Sequence, residues 1–128
     1  MDYLIDTHTL LWIVTDSSKL SSRAKKLYLD PENRILVSLA SIWELAIKSS
    51  LGKIALEKSL EEFVDEHVKG NNIQILDIGL PHILRIAKLP FHHRDPFDRL
   101  IISQQIENNL SIIGSDKLFD EYGVDRIW

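Results

Sequence analysis

The sequence predicts an α/β fold: a three-layer domain with a mostly parallel four- to five-stranded sheet flanked by helices. Two observations carry this. Short apolar runs recur at Tyr3-Leu4-Ile5, Arg34–Ser38, Ile73–Ile78 and Leu110–Gly114, and such runs read as buried strands. Stretches with helix start and stop signals separate them. Strands that alternate with helices belong to βαβ units, whose right-handed crossovers place helices on both faces of a parallel sheet.

In chain order, Tyr3-Leu4-Ile5 is the first strand and Asp6-Thr7 a cap after it. His8 to Thr15 is a buried helix. Ser21 caps a second helix that Asp30-Pro31 stops. After the strand Arg34–Ser38, Ser41-Ile42-Trp43-Glu44 reads as a capping box opening a helix to Leu51, with Gly52 beyond it. Ser59-Leu60-Glu61-Glu62 is a second capping box, for a helix ending at Gly70. Ile73–Ile78 is a strand, and Pro81 to Leu89 a helix closed by Pro90. In the next helix Asp95 is the N-cap, Pro96 takes the first helical position, where no N–H is needed, and Asp98 lies near the positive end of the helix dipole. That helix ends at Asn108-Asn109. Leu110–Gly114 is the fourth strand, Ser115-Asp116 follows it, Leu118 to Tyr122 forms a helical turn, and Val124 to Trp128 holds a short last strand.

Composition narrows the setting. With 128 residues and 45% apolar content, the chain suits one domain spanning 1–128 with a real core. It has no cysteine, hence no disulfide, thiolate metal site or catalytic thiol, which suits a cytoplasmic location. Met1-Asp2-Tyr3 carries no basic leader, and the apolar runs fall short of the ~20 residues that span a bilayer, so no membrane partner is expected. A net charge of −4 gives no global field to attract nucleic acid.

The candidate chemistry lies in four acids. In an open parallel sheet the carboxyl ends of the strands share one edge, where ligands bind. Asp6 ends the first strand, Glu44 starts the helix after the second, and Asp116 follows the fourth. Asp98 starts the helix that returns to the bottom of the sheet, so it too begins near that edge. Singly, each has an ordinary explanation as a helix cap or dipole partner. Together, four negative groups on one edge repel one another unless protons or a cation neutralise them. An all-oxygen donor set suits a hard ion, Mg²⁺ or Mn²⁺.

At this point the chain resembles a family. Leu4-Ile5-Asp6-Thr7, Ser41-Ile42-Trp43-Glu44, Asp98-Arg99-Leu100-Ile101 and Gly114-Ser115-Asp116 stand in the order and spacing of the PIN-domain ribonucleases, with greatest likeness to VapC-type toxins. Asp6–Trp12 and His93–Arg99 look especially like one branch of them. The resemblance implies a Mg²⁺-dependent endoribonuclease with Asp6, Glu44, Asp98 and Asp116 as its catalytic quartet. Asp6, Asp98 and Asp116 would hold the metal, and Glu44 would orient or deprotonate the attacking water. It also implies an RNA substrate, a cognate antitoxin and a homodimer. Asp95, one helical turn before Asp98, is a competitor for the third role, but the aspartate followed by a Leu-Ile pair favours Asp98 and leaves Asp95 the cap.

Other signals weigh less. His92, His93, Arg94, Arg99, Lys48 and Lys117 lie near the expected mouth and suit either RNA guidance or an ordinary solvated surface. Adjacent His92-His93 lack a matching ligand set, which argues against metal binding. Trp12, Trp43 and Trp128 read as core or interface residues rather than base-stacking platforms. Asp6-Thr7-His8 also opens like a metallophosphoesterase, an amidohydrolase or a haloacid-dehalogenase-like phosphatase, but the further motifs of each are missing. Two rivals from other classes are a PIN-like domain that binds RNA or protein without cutting, and a small-molecule phosphohydrolase. The second would need a phosphate-cradling Gly-rich loop or a nucleophilic Asp paired with a Lys.

Overall fold

In a computed structural model describing residues 1–128, the strands are β1 (Asp2–Ile5), β2 (Arg34–Ser38), β3 (Gln74–Leu76), β4 (Ser111–Ile113) and β5 (Arg126–Ile127). They form one sheet in the order β3-β2-β1-β4-β5, with every neighbouring pair parallel. The predicted α/β class and the short last strand are therefore present. β3 is shorter than the expected Ile73–Ile78: it is an edge strand, and only β2 is there to pair with it.

The helices are α1 (Thr7–Val14), α2 (Ser22–Leu29), α3 (Leu39–Ser50), α4 (Leu60–Phe63), α5 (Leu80–Ile86) and α6 (Pro96–Asn108). The helix expected from Ser59 to Gly70 is α4 run on through a wider π turn (Val64–Val68) and a tight 3₁₀ turn (Lys69–Asn71). Leu4, Ile5, Leu36, Val37, Ile112 and Ile113 are buried, as strands covered on both faces require. Alternation along β1 sends Tyr3 and Ile5 into one core with Leu10, Ala24, Leu45 and Phe63. It sends Leu4 into a second core with Leu36, Ile112, Leu100, Ile101 and Ile102.

One local expectation fails. Ser41 and Glu44 do not form a capping box, because α3 starts earlier. Ser38 is its N-cap, and the Ser38 hydroxyl accepts the Ala40 N–H at 3.0 Å. Glu44 consequently lies in the second turn, where its carboxylate is free for other partners. Trp43 also departs from a core role: it is 53% exposed and meets Phe97 edge to face, with centroids 5.0 Å apart. Trp12 is half-buried against Trp128, 5.6 Å between centroids.

Arg99 is no surface guide for a ligand either. It is buried. Its guanidinium donates to the carbonyls of Pro90 (2.9 Å) and Ile86 (3.2 Å) and lies within 3.5 Å of the Leu89 carbonyl. Ile86 ends α5, where its carbonyl also accepts the Leu89 N–H at 3.2 Å, and Leu89 and Pro90 belong to the loop that follows. Arg99 thus ties the end of α5 and the following loop to the first turns of α6. Arg99→Ala removes a buried guanidinium and its hydrogen bonds to these carbonyls of half-buried and exposed residues and is expected to cost about 1–3 kcal/mol, read as a lower urea midpoint at unchanged slope.

Candidate metal centre

The sheet order sets the place. β1 leads to β2 and β3 on one side, whereas β4 and β5 lie on the other, so the strand order reverses between β1 and β4. Crevices at the carboxyl ends of such a switch point are where open α/β sheets bind ligands. Ile5 is level with Val37 and Ile113, so Asp6 emerges beside Ser38 and Gly114.

Asp6 is buried and caps α1: its Oδ1 accepts the Thr9 N–H at 2.8 Å. The Thr9 hydroxyl donates to the Ile113 carbonyl at 3.0 Å, which anchors the start of α1 to β4. The other oxygen, Oδ2, faces Gly114 so closely that a Cβ there would stand 2.9 Å from it. Glycine is needed at 114 for that approach rather than for any unusual backbone angle. Burial pushes the Asp6 carboxyl above its ordinary value, partly countered by the Thr9 hydrogen bonds.

Asp116 caps the 3₁₀ turn Lys117–Tyr122, its Oδ1 accepting the Leu118 N–H at 3.0 Å. Its Oδ2 lies 3.1 Å from His93 Nε2. Asp95 caps α6 as the sequence predicts, its Oδ1 accepting the Phe97 N–H at 2.8 Å. Asp98, one turn on, takes no cap. Burial first, then the charges of Asp95, Asp6, Glu44 and Asp116, push its carboxyl from 3.8 up to about 7. Asp6, Glu44 and Asp116 are thus within electrostatic reach of Asp98.

Glu44 is buried and differently employed. The Thr7 hydroxyl donates to Oε1 at 2.6 Å, with Ser41 Oγ 2.9 Å from that hydroxyl. Lys48 Nζ donates to Oε2 at 2.6 Å. The hydrogen bond and charge of Glu44 hold the Lys48 ammonium above its ordinary pKa, with Asp95 and Asp98 adding to the effect. One face of α3 thus presents a carboxylate fixed from both sides.

His93 is the residue that sequence reasoning set aside. It is buried, and its Nε2 is 3.1 Å from Asp116 Oδ2 and 4.0 Å from Asp98 Oδ2. One ligand atom from each of His93, Asp98 and Asp116 lies within 4.8 Å of the others, a span one divalent ion can bridge. The donor chemistry fits such an ion. Several carboxylates share a partly buried place, Asp98 is shifted upward by burial first and by their repulsion second, and Lys48 is bonded to Glu44. Of the basic residues expected at the mouth, His92, Arg94 and Lys117 are exposed, Lys48 is half-buried and Arg99 is inside. A cleft of about 530 Å³ elsewhere, lined by Leu11, Val14, Ile54, Ala55, Leu56 and Phe63 together with Thr15, Glu57, Lys58, Glu66 and His67, includes none of Asp6, Glu44, Asp98 and Asp116.

The fold has known counterparts. A chain of the VapBC2 complex from Rickettsia felis, crystallised with a DNA fragment from its promoter, aligns with TM-score 0.72 at 16% identity, covering 99% of this chain and 98% of that one. FitAcB from Neisseria gonorrhoeae aligns at 0.68 and 16% identity, covering 100% and 97%. VapBC-1 from nontypeable Haemophilus influenzae aligns at 0.68 and 17% identity, covering 99% and 97%. No curated protein matches significantly. The PIN domain family model matches residues 3–125, nearly the whole length, so this chain belongs to the PIN domain family, whose members are generally nucleases.

Proposed function

We propose that this chain is a Mg²⁺-dependent endoribonuclease, with Mn²⁺ able to substitute, and that it is the VapC-type toxin of a toxin–antitoxin pair. The observation that carries the reading is the cluster of Asp98, Asp116 and His93, whose ligand atoms lie within 4.8 Å of one another, with Asp6 and Glu44 near enough for their charges to act on Asp98. Asp98 and Asp116, together with Asp6 Oδ2, would hold the ion. Asp6 and Asp116 each cap a turn with Oδ1 and keep Oδ2 turned inward. A divalent ion there supplies Lewis acidity towards a phosphoryl oxygen and lowers the pKa of water. Glu44 orients the attacking water: Thr7 and Lys48 fix its carboxylate, and each oxygen retains a second lone pair. Exposed His92, Arg94 and Lys117 then guide the RNA backbone past the acids.

The proposed partners also find support. The similar structures are toxin–antitoxin complexes, and the cleft between α1 and the segment from Ile54 to His67, with an apolar floor and Glu57, Lys58 and Glu66 around it, suits an amphipathic stretch of an antitoxin. Leu39, Trp43 and Ile47 form an exposed stripe along α3 that favours a homodimer. A cytoplasmic location agrees with the absence of cysteine; no helix is long and apolar enough to cross a membrane.

The test is cleavage of single-stranded RNA by the purified chain. Mg²⁺ is expected to support cutting, EDTA to stop it, and added Mg²⁺ to restore it. RNA that is bound but left whole in both Mg²⁺ and Mn²⁺ would make the chain a binding module instead.

A further inference from the structure

We infer that His93 is a positioning residue for Asp116: its imidazole carries the proton on Nε2, donates it to Asp116 Oδ2, and does not itself ligate the ion. This rests on the metal-centre reading above.

The ring is held on every side. It stacks on Tyr122 at an interplanar angle of 16°, centroids 5.6 Å apart, and meets Phe119 edge to face at 5.2 Å. The His93 backbone N–H donates to the Tyr122 hydroxyl at 2.8 Å and that of His92 to the same oxygen at 3.1 Å. The loop before α6 is thereby pinned to the turn that carries Asp116. The imidazole cannot swing freely, and Nε2 stays aimed at the acids.

Position alone allows Nε2 to be a ligand or a donor; Nδ1 decides between them. A histidine that ligates through Nε2 carries its proton on Nδ1 and ordinarily donates it to a carboxylate, a carbonyl or water. Nδ1 of His93 is buried and has no hydrogen-bond partner among the protein's own groups, carbonyl or carboxylate. A buried N–H without an acceptor is among the rarest features of folded proteins, whereas an under-used acceptor is better tolerated. The lone pair therefore belongs on Nδ1 and the proton on Nε2, 3.1 Å from Asp116 Oδ2. With Leu118 N–H on Oδ1, both oxygens of a 40% exposed carboxylate are oriented, and each keeps a lone pair for the ion.

Long-range ¹H–¹⁵N NMR of the metal-free chain reads the tautomer directly; a proton on Nε2 is expected, and a bare Nε2 overturns the inference. Mn²⁺ titration then compares the wild type with His93→Gln, His93→Asn and His93→Ala. Glutamine places an amide N–H near the position of Nε2 and should bind Mn²⁺ nearly as the wild type does. Asparagine and alanine do not reach Asp116 and should bind about 10- to 100-fold more weakly, the usual loss when a group behind a ligand is removed. Equal affinity across all variants overturns the positioning role, as does direct ¹⁴N coupling from His93 in the electron spin-echo spectrum of the Mn²⁺-loaded wild type. Should His93→Ala fail to fold, the two wild-type spectra decide. A wild type that takes up no Mn²⁺ instead sinks the metal centre itself, and this inference with it.

Discussion

Asp98→Asn is expected to abolish the proposed Mg²⁺-dependent RNA cleavage and to leave the fold in place. The change keeps the shape of the side chain and removes a charge that the metal-free crevice holds only under strain, since burial and the four surrounding carboxylates push Asp98 up to about 7. The start of α6 stays fixed by Asp95 and Pro96, neither of which involves the Asp98 carboxylate. What would be lost is the oxygen that the proposed function assigns to the metal. Polarisation of a phosphoryl group by a bound ion lowers the barrier by several kcal/mol. At 1.36 kcal/mol per decade the expected fall is about 10³-fold or more. Single-turnover cleavage of a fluorogenic RNA measures it, with circular dichroism confirming the fold. An Asn variant that cuts at the wild-type rate refutes the role of Asp98.

The residues that meet here were legible to the extent that local signals survive folding. Asp6, Asp95 and Asp116 look like caps in the sequence, and caps they are. Capping consumes one oxygen of a carboxylate, so in Asp6 and Asp116 the cap and the inward-facing oxygen coexist, and the two explanations weighed against each other are compatible. The capping box at Ser41-Ile42-Trp43-Glu44 misleads because Ser38, three residues earlier, offers the same hydroxyl and lies where β2 ends. Arg99 is not legible as a buried clamp, because its acceptors belong to the end of α5 and the loop after it, nine to thirteen residues away. His93 is legible only as a basic residue near the mouth and not as a partner of Asp116, because Asp116, Phe119 and Tyr122 come from a turn more than twenty residues on. Helix and strand periods say nothing about such a loop-to-turn contact. The strand order, which puts β4 beside β1 and opens the crevice, follows from the sequence only through the general behaviour of βαβ crossovers.

The same strain makes stability depend on pH and on metal. Asp98 is raised in the folded chain from 3.8 to about 7, and Asp6 is shifted in the same direction. The folded state therefore holds more protons than the unfolded state between these values, so metal-free stability falls as pH rises through that window. From about pH 5 to about pH 8 the Asp98 contribution alone removes roughly 2–3 kcal/mol. This runs opposite to ordinary paired carboxylates such as Glu66 and Asp120, which Lys58 and Arg126 hold below their usual values. A divalent ion pairs with the ionised forms and competes with protons, so its stabilisation should be larger at the higher pH. Thermal unfolding in EDTA is thus expected to give a lower midpoint at about pH 8 than at about pH 5, with Mg²⁺ closing most of the gap. In Asp98→Asn the group that titrates is gone, so the metal-free slope should flatten and the Mg²⁺ effect shrink with it. A metal-free midpoint that climbs over this range, or an Asn variant with the wild-type slope, would mean that Asp98 is not the strained member of the cluster.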